Sequence, residues 1–117
     1  MVKRFFVLFA SVLCIALSAA DIKDTWFSAM CDAVASQLPQ GCQLRKDASK
    51  RIIFLDMPLP VSSETPFNVA TAKAAIVREI KTTPDADFVR KAEIIVIYNY
   101  ITTDYKIHSV VITKADL

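Results

Sequence analysis

Ile94-Ile95-Val96-Ile97-Tyr98-Asn99-Tyr100-Ile101 is β-branched and aromatic throughout, and after Thr102-Thr103-Asp104 a second run, Tyr105 to Thr113, has the same character. Residues of this type favour extended strands over helix. Two such runs so close in sequence predict an antiparallel hairpin at the end of the chain. With Thr103-Asp104 as a two-residue turn, Ile95 stands opposite Ile112, Ile97 opposite Val110, Asn99 opposite His108 and Ile101 opposite Lys106. The other face then carries Ile94, Val96, Tyr98, Tyr100, Tyr105, Ile107 and Val111.

Both faces are therefore apolar, whereas a sheet with one face on a core and the other in water alternates apolar and polar residues. The tyrosine-rich face, represented by Tyr98, Tyr100, Tyr105 and Ile107, is the candidate docking surface for a second copy of the chain, a protein partner or an apolar ligand. The plainer alternative is that the first helix and a proline-rich connector cover that face as ordinary core.

Working back toward the N-terminus, Thr65-Pro66 reads as a helix start, with threonine capping and proline at the first helical position. The helix is expected to run to about Lys81 and bury Phe67, Val69, Ala72, Ile76, Val77 and Ile80, with Ala70, Ala72, Ala74 and Ala75 permitting close packing. Thr83-Pro84 opens a further short helical turn through Val89. Before these helices, Arg51 to Met57 is a short apolar run ending at Pro58-Leu59-Pro60, which reads as a buried strand. Earlier still, Ile22, Trp26, Phe27, Met30, Val34 and Leu38 fall at helical spacing and stop at Pro39-Gln40-Gly41. The expected fold is α+β: two main helices packed on a small antiparallel or mixed sheet, with a long C-terminal hairpin.

The first twenty residues have a different character. Lys3 and Arg4 precede an apolar run from Phe5 to Leu17, and Ser18-Ala19-Ala20 offers small residues before the charged Asp21. This is the pattern of an export signal cleaved after Ala20. The run is too short to span a bilayer, which needs roughly 20 residues. Residues 21–117 then form a single exported domain, periplasmic or secreted, with no stable membrane span. The whole chain is 54% hydrophobic with a net charge of +2. Without the leader, twelve Lys and Arg balance twelve Asp and Glu.

Cys14 also leaves with the signal, so Cys31 and Cys42 remain as a disulfide candidate in an exported protein. Closing that short loop is worth about 3 kcal/mol in the chain-entropy model.

The sequence carries no enzyme signature. His108 is the single histidine, and Ser109 beside it on a strand points to the opposite face. Asp85 and Asp87 resemble the start of a calcium loop but lack its third acid, its glycine and its terminal glutamate. One histidine and two cysteines supply no zinc ligand set, and Gly41 alone cannot form a phosphate-cradling loop, so no cofactor or metal is expected. Arg45, Lys46, Lys50 and Arg51 form a basic cluster suited to an acidic partner or to a solvated flank. A neutral exported chain is a poor match for nucleic acid. The expected function is a non-catalytic protein-binding module, such as an inhibitor, an immunity-type protein or an assembly accessory. A carrier of a small apolar ligand between helices and sheet is the alternative.

Overall fold

The structure is a computed structural model that describes residues 19–117. The leader expected at 1–20 lies outside the described residues except for its last two. Helix α1 spans Ala19–Gln37, and strands β1 (Gln43–Asp47) and β2 (Ile52–Pro58) follow. Helices α2 (Val69–Lys81) and α3 (Asp85–Ala92) then lead to strands β3 (Ile95–Ile101) and β4 (Ile107–Ile112), and a 3-10 turn, Lys114–Asp116, ends the chain. The class is α+β. The sheet is four-stranded and mixed, in the order β1-β2-β3-β4, with a parallel central pair β2–β3 and an antiparallel hairpin on each side.

The core lies between the helices and one face of the sheet. Phe27, Met30, Cys31 and Val34 from α1, Ile76 and Ile80 from α2, and Phe88, Val89 and Ala92 from α3 meet Ile53, Leu55, Val96, Tyr98, Val110 and Ile112 from the strands. Trp26 packs edge-on against the Phe88 ring at 5.7 Å, tying α1 to α3. Among the α1 residues whose burial is described, the fully buried ones begin at Phe27.

Helix α2 begins later than the Thr65-Pro66 signal suggests. Asn68 caps it, its Oδ1 accepting from the Thr71 N–H at 3.0 Å, while Pro66 and Phe67 lie outside the helix. Only Ile76 and Ile80 are fully buried in α2; Ala72 and Val77 are half-buried, and Val69, Ala70, Ala74 and Ala75 are exposed. The short helix expected after Thr83 is α3, where the Thr83 hydroxyl accepts from the Asp85 N–H at 3.2 Å and donates to the Ile80 carbonyl at 2.8 Å. Glu93 takes the left-handed conformation that closes α3, and the Ile94 N–H returns to the Val89 carbonyl at 3.0 Å in a Schellman cap.

The hairpin register differs from the expected one by a single residue. Tyr105 adopts φ 64, the Tyr105 N–H donates to the Thr102 carbonyl at 3.0 Å, and the Thr102 N–H donates to the Lys106 carbonyl at 2.8 Å. This is the three-residue loop with a left-handed third position, not a two-residue turn. The extra residue makes Ile97 face Val111 and Tyr100 face His108, and a slip of one residue exchanges the faces. Tyr98 and Tyr100 consequently point to the helices, and Ile107 points away from them.

A left-handed tyrosine costs about 1–2 kcal/mol that glycine does not incur, offset in part by the freer unfolded chain. Tyr105→Gly is therefore expected to raise stability by up to about 1 kcal/mol. Thermal unfolding checks it, and a loss of stability would mean that the Tyr105 ring makes a compensating contact.

Candidate functional site

The sheet face turned away from the helices is not covered by any described element. Its residues form four rows across the strands. Asp47, Ile52 and Ile95 make the first, and Arg45, Phe54, Ile97 and Val111 the second; Gln43, Asp56, Asn99 and Ser109 make the third, and Pro58, Ile101 and Ile107 the fourth. Ile52, Phe54, Ile95, Ile97 and Ile101 are half-buried. Toward the β4 edge the exposure rises, to 41% for Val111 and 59% for Ile107. The surface is thus apolar, with one polar row across it.

Asp56, Asn99 and Ser109 of that row form a continuous hydrogen-bonded ladder, which Arg45 joins from the second row. Arg45 donates to Asp56 through Nε at 2.7 Å and through Nη2 at 3.0 Å, and Asn99 Nδ2 donates to the same carboxylate at 3.1 Å. Ser109 Oγ then donates to Asn99 Oδ1 at 2.7 Å. The Arg45 hydrogen bonds and charge, helped by Asn99, hold the Asp56 carboxyl below the usual carboxylate range. The Arg45 guanidinium also sits 4.8 Å over the Phe54 ring, linking the polar row to the apolar one.

At the end of this face, where β2 and β3 terminate, lies an open cleft of about 400 Å³ lined by Gly41, Gln43, Asp56, Pro58, Ile101 and Tyr105, among others. Gly41 borders it with φ 88, in a turn closed by the Cys42 N–H to the Pro39 carbonyl at 3.1 Å. The hairpin loop at the other side of the cleft is fixed by Asp104, which accepts from the Ser63 hydroxyl and N–H and from the Thr102 hydroxyl. These bonds push the Asp104 carboxyl far down, the Ser63 hydroxyl contributing most.

The four expected docking residues do not share a surface. Tyr98 is 2% exposed and Tyr100 is half-buried against the core, whereas Tyr105 is 85% exposed on the loop and Ile107 lies on the open face. The apolar surface that sequence reasoning sought is instead built from the odd-numbered residues of β3 and β4 with Ile52 and Phe54 of β2. A three-residue loop with no glycine left no mark in the sequence that would have set this parity.

The basic cluster is divided as well. Arg45 enters the ladder, and Arg51 pairs with Asp24 at 3.1 Å and approaches Glu93 at 4.0 Å.

Cys31 and Cys42 are free thiols, so the expected disulfide is not formed in this structure. Cys31 is buried in α1 within electrostatic reach of Lys46, whereas Cys42 lies near Tyr100 just ahead of β1. Lys46 and Cys42 are about 13 Å apart along an extended chain, so nearness in sequence does not bring the sulfurs together. Burial pushes the Cys31 thiol up to about 11. A raised folded-state value adds stability that is complete below the unfolded value near 9 and lost as pH rises toward 11. Of these two thiols, a reagent is therefore expected to label Cys42 in the native chain and Cys31 only after unfolding. Absence of any free thiol in the unfolded chain would contradict this arrangement.

His108 stands on the helix side of β4, stacked on Phe67 with ring centroids 4.7 Å apart, and its Nε2 is buried with no hydrogen-bond partner among the described residues. Ser109 faces the open side and donates to Asn99, so the two cannot act together. Removing an unsatisfied buried polar atom while keeping an aromatic ring is favourable. His108→Phe is expected to raise stability by about 1 kcal/mol, read by urea unfolding; destabilisation would show that Nε2 has a partner in solution.

Among the described residues, no group of three His, Cys, Asp or Glu could hold a metal ion, and no helix is long and apolar enough to cross a membrane. Comparison with protein-family models, with curated proteins and with solved structures gave no match.

Proposed function

We propose that this chain is an exported, non-catalytic protein-binding module that docks through the open face of its sheet. The observation that carries the reading is the uncovered apolar surface of Ile52, Phe54, Ile95, Ile97, Ile101, Ile107 and Val111. Apolar surface of that extent on a small domain favours association, and the Arg45–Asp56–Asn99–Ser109 ladder would fix orientation within it. The non-catalytic part is supported by the side-chain geometry: both Asp56 oxygens are engaged, and the Ser109 proton is committed to Asn99. Export rests on the leader pattern of residues 1–20, and places the module in the periplasm or outside the cell.

A photo-crosslinking residue at position 97 tests the docking face, with the same residue at the exposed Glu64 as control. The expected outcome is one discrete adduct from position 97 and none from position 64. No adduct, or the same adducts from both positions, would overturn the reading. N-terminal sequencing of the envelope fraction is expected to begin at Asp21, and an intact Met1 would remove the export proposal.

A second reading, a carrier of a small ligand, is favoured by the cleft beside Asp56 and Tyr105. This cleft lies at the end of the sheet and not between helices and sheet, where Met30, Val34, Leu55, Ile94, Val96 and Ile112 are all fully buried. A small mass retained in native mass spectrometry and lost in Tyr105→Ala would support the cleft.

A further inference from the structure

The two edges of the sheet are unlike. β1 is five residues long and carries Arg45, Lys46 and Asp47, which discourages pairing with another strand. β4 reads Ile107-His108-Ser109-Val110-Val111-Ile112, without proline and without a permanently charged residue. An uncharged apolar edge of this length is one that natural sheets usually blunt or pair.

The hairpin fixes which main-chain groups of β4 are free. Thr102 and Lys106 form a hydrogen-bonded pair, with the Thr102 N–H donating to the Lys106 carbonyl at 2.8 Å. Bonded and non-bonded pairs alternate along an antiparallel ladder. His108, Val110 and Ile112 therefore bond to β3, and the N–H and C=O groups of Ile107, Ser109 and Val111 point outward to the edge. The same three residues place their side chains on the open face.

We propose that a second copy of this chain pairs with β4 through an antiparallel β4–β4 contact, about a two-fold axis at Ser109. Outward groups meet only where odd-numbered residues oppose odd-numbered ones. Centring on Ser109 uses all three: Ser109 opposes Ser109 of the second copy, Ile107 opposes Val111, and Val111 opposes Ile107. That arrangement offers about six inter-chain hydrogen bonds and two apolar cross-strand pairs. Its charges are compatible with the contact: Lys106 stands opposite Ile112 of the second copy, and no two charged residues oppose each other between positions 106 and 112. The result is a continuous eight-stranded sheet in which the two open faces become one surface. This deepens the docking proposal by naming one partner, yet it rests on the edge of β4 and not on the interior of the face.

Sedimentation velocity on the exported chain, over a roughly hundredfold concentration range, reads the association. The expected result is a dimer that Ile107→Lys/Val111→Lys dissociates, because like charges then oppose each other in both pairs. Ile107→Lys/Val111→Glu is expected to retain the dimer. Both positions are exposed, and circular dichroism verifies that each variant is folded. On oxidation, Ser109→Cys is expected to give a covalent dimer, while Ile107→Cys gives none, since residue 107 meets residue 111 and not itself. A monomeric wild type, an open-ended oligomer, a dimer indifferent to the double-lysine variant, or equal crosslinking by the two cysteine variants would each overturn the pairing. A monomer that still gives the position-97 adduct would leave docking through the face standing without the β4 pairing.

Discussion

Val96→Lys is expected to unfold the protein, and Ile97→Lys to leave it folded with its stability changed by no more than about 1 kcal/mol. The two residues are neighbours of the same type on one strand, so any difference between them reports only the face each occupies. Val96 has no exposed surface and packs in the cluster with Ile53 and Ile112. A lysine there would have to bury an ammonium group without a partner or expel it by opening the core, a cost of more than about 4 kcal/mol. Ile97 lies on the open face between Phe54 and Val111, where the lysine stem can lie along apolar surface with its charge in water. Far-UV circular dichroism during heating separates the outcomes. The reverse pattern would mean that the helices cover the odd-numbered face of β3.

Ile94→Ala is expected to be the next most costly change, at about 3 kcal/mol. Ile94 has no exposed surface, and it performs two structural tasks. Its N–H closes the α3 cap on the Val89 carbonyl, and its side chain follows Val89 into the core immediately before β3 begins. Truncation leaves a cavity at the direct junction between α3 and β3. For a domain of this size the melting temperature should fall by roughly 10–25 °C. A fall of only a few degrees would show that the α3–β3 junction can collapse around the smaller side chain.

Most of the elements were legible in the sequence because each is specified locally. The stripe from Ile22 to Leu38 gives α1, the apolar run after Arg51 gives β2, and the two β-branched runs give β3 and β4. Strand β1 escaped notice because Gln43-Leu44-Arg45-Lys46-Asp47 has only Leu44 packed toward the core, and its polarity is what an edge strand needs. The start of α2 was misplaced because Thr65-Pro66 and Asn68 are both competent signals, and tertiary packing of Phe67 against Tyr100 and His108 favours the second.

The open face was less legible than the elements that carry it. Composition showed that both faces of the hairpin are apolar and left open whether the second is surplus or covered as core. Which face is the open one depended on one backbone dihedral at Tyr105, where φ 64 adds a residue to the loop and reverses every side chain of β4 relative to β3. The ladder of Arg45, Asp56, Asn99 and Ser109 joins four separate strands, so no local pattern announces it. The cysteines show the same limit, since an eleven-residue separation says nothing about which way each thiol points once the end of a helix and a tight turn lie between them.

The isoleucines sample both faces of the sheet and allow the uncovered surface to be read directly. With methyl-labelled isoleucine and a soluble paramagnetic agent, the signals of Ile52, Ile95, Ile97, Ile101 and Ile107 are expected to broaden strongly. Those of Ile53, Ile76, Ile80, Ile94 and Ile112 should stay sharp, because these residues are 0–9% exposed. Broadening of Ile94 and Ile112 with protection of Ile95 and Ile97 would place the core on the other side of the sheet and contradict the assignment of the open face.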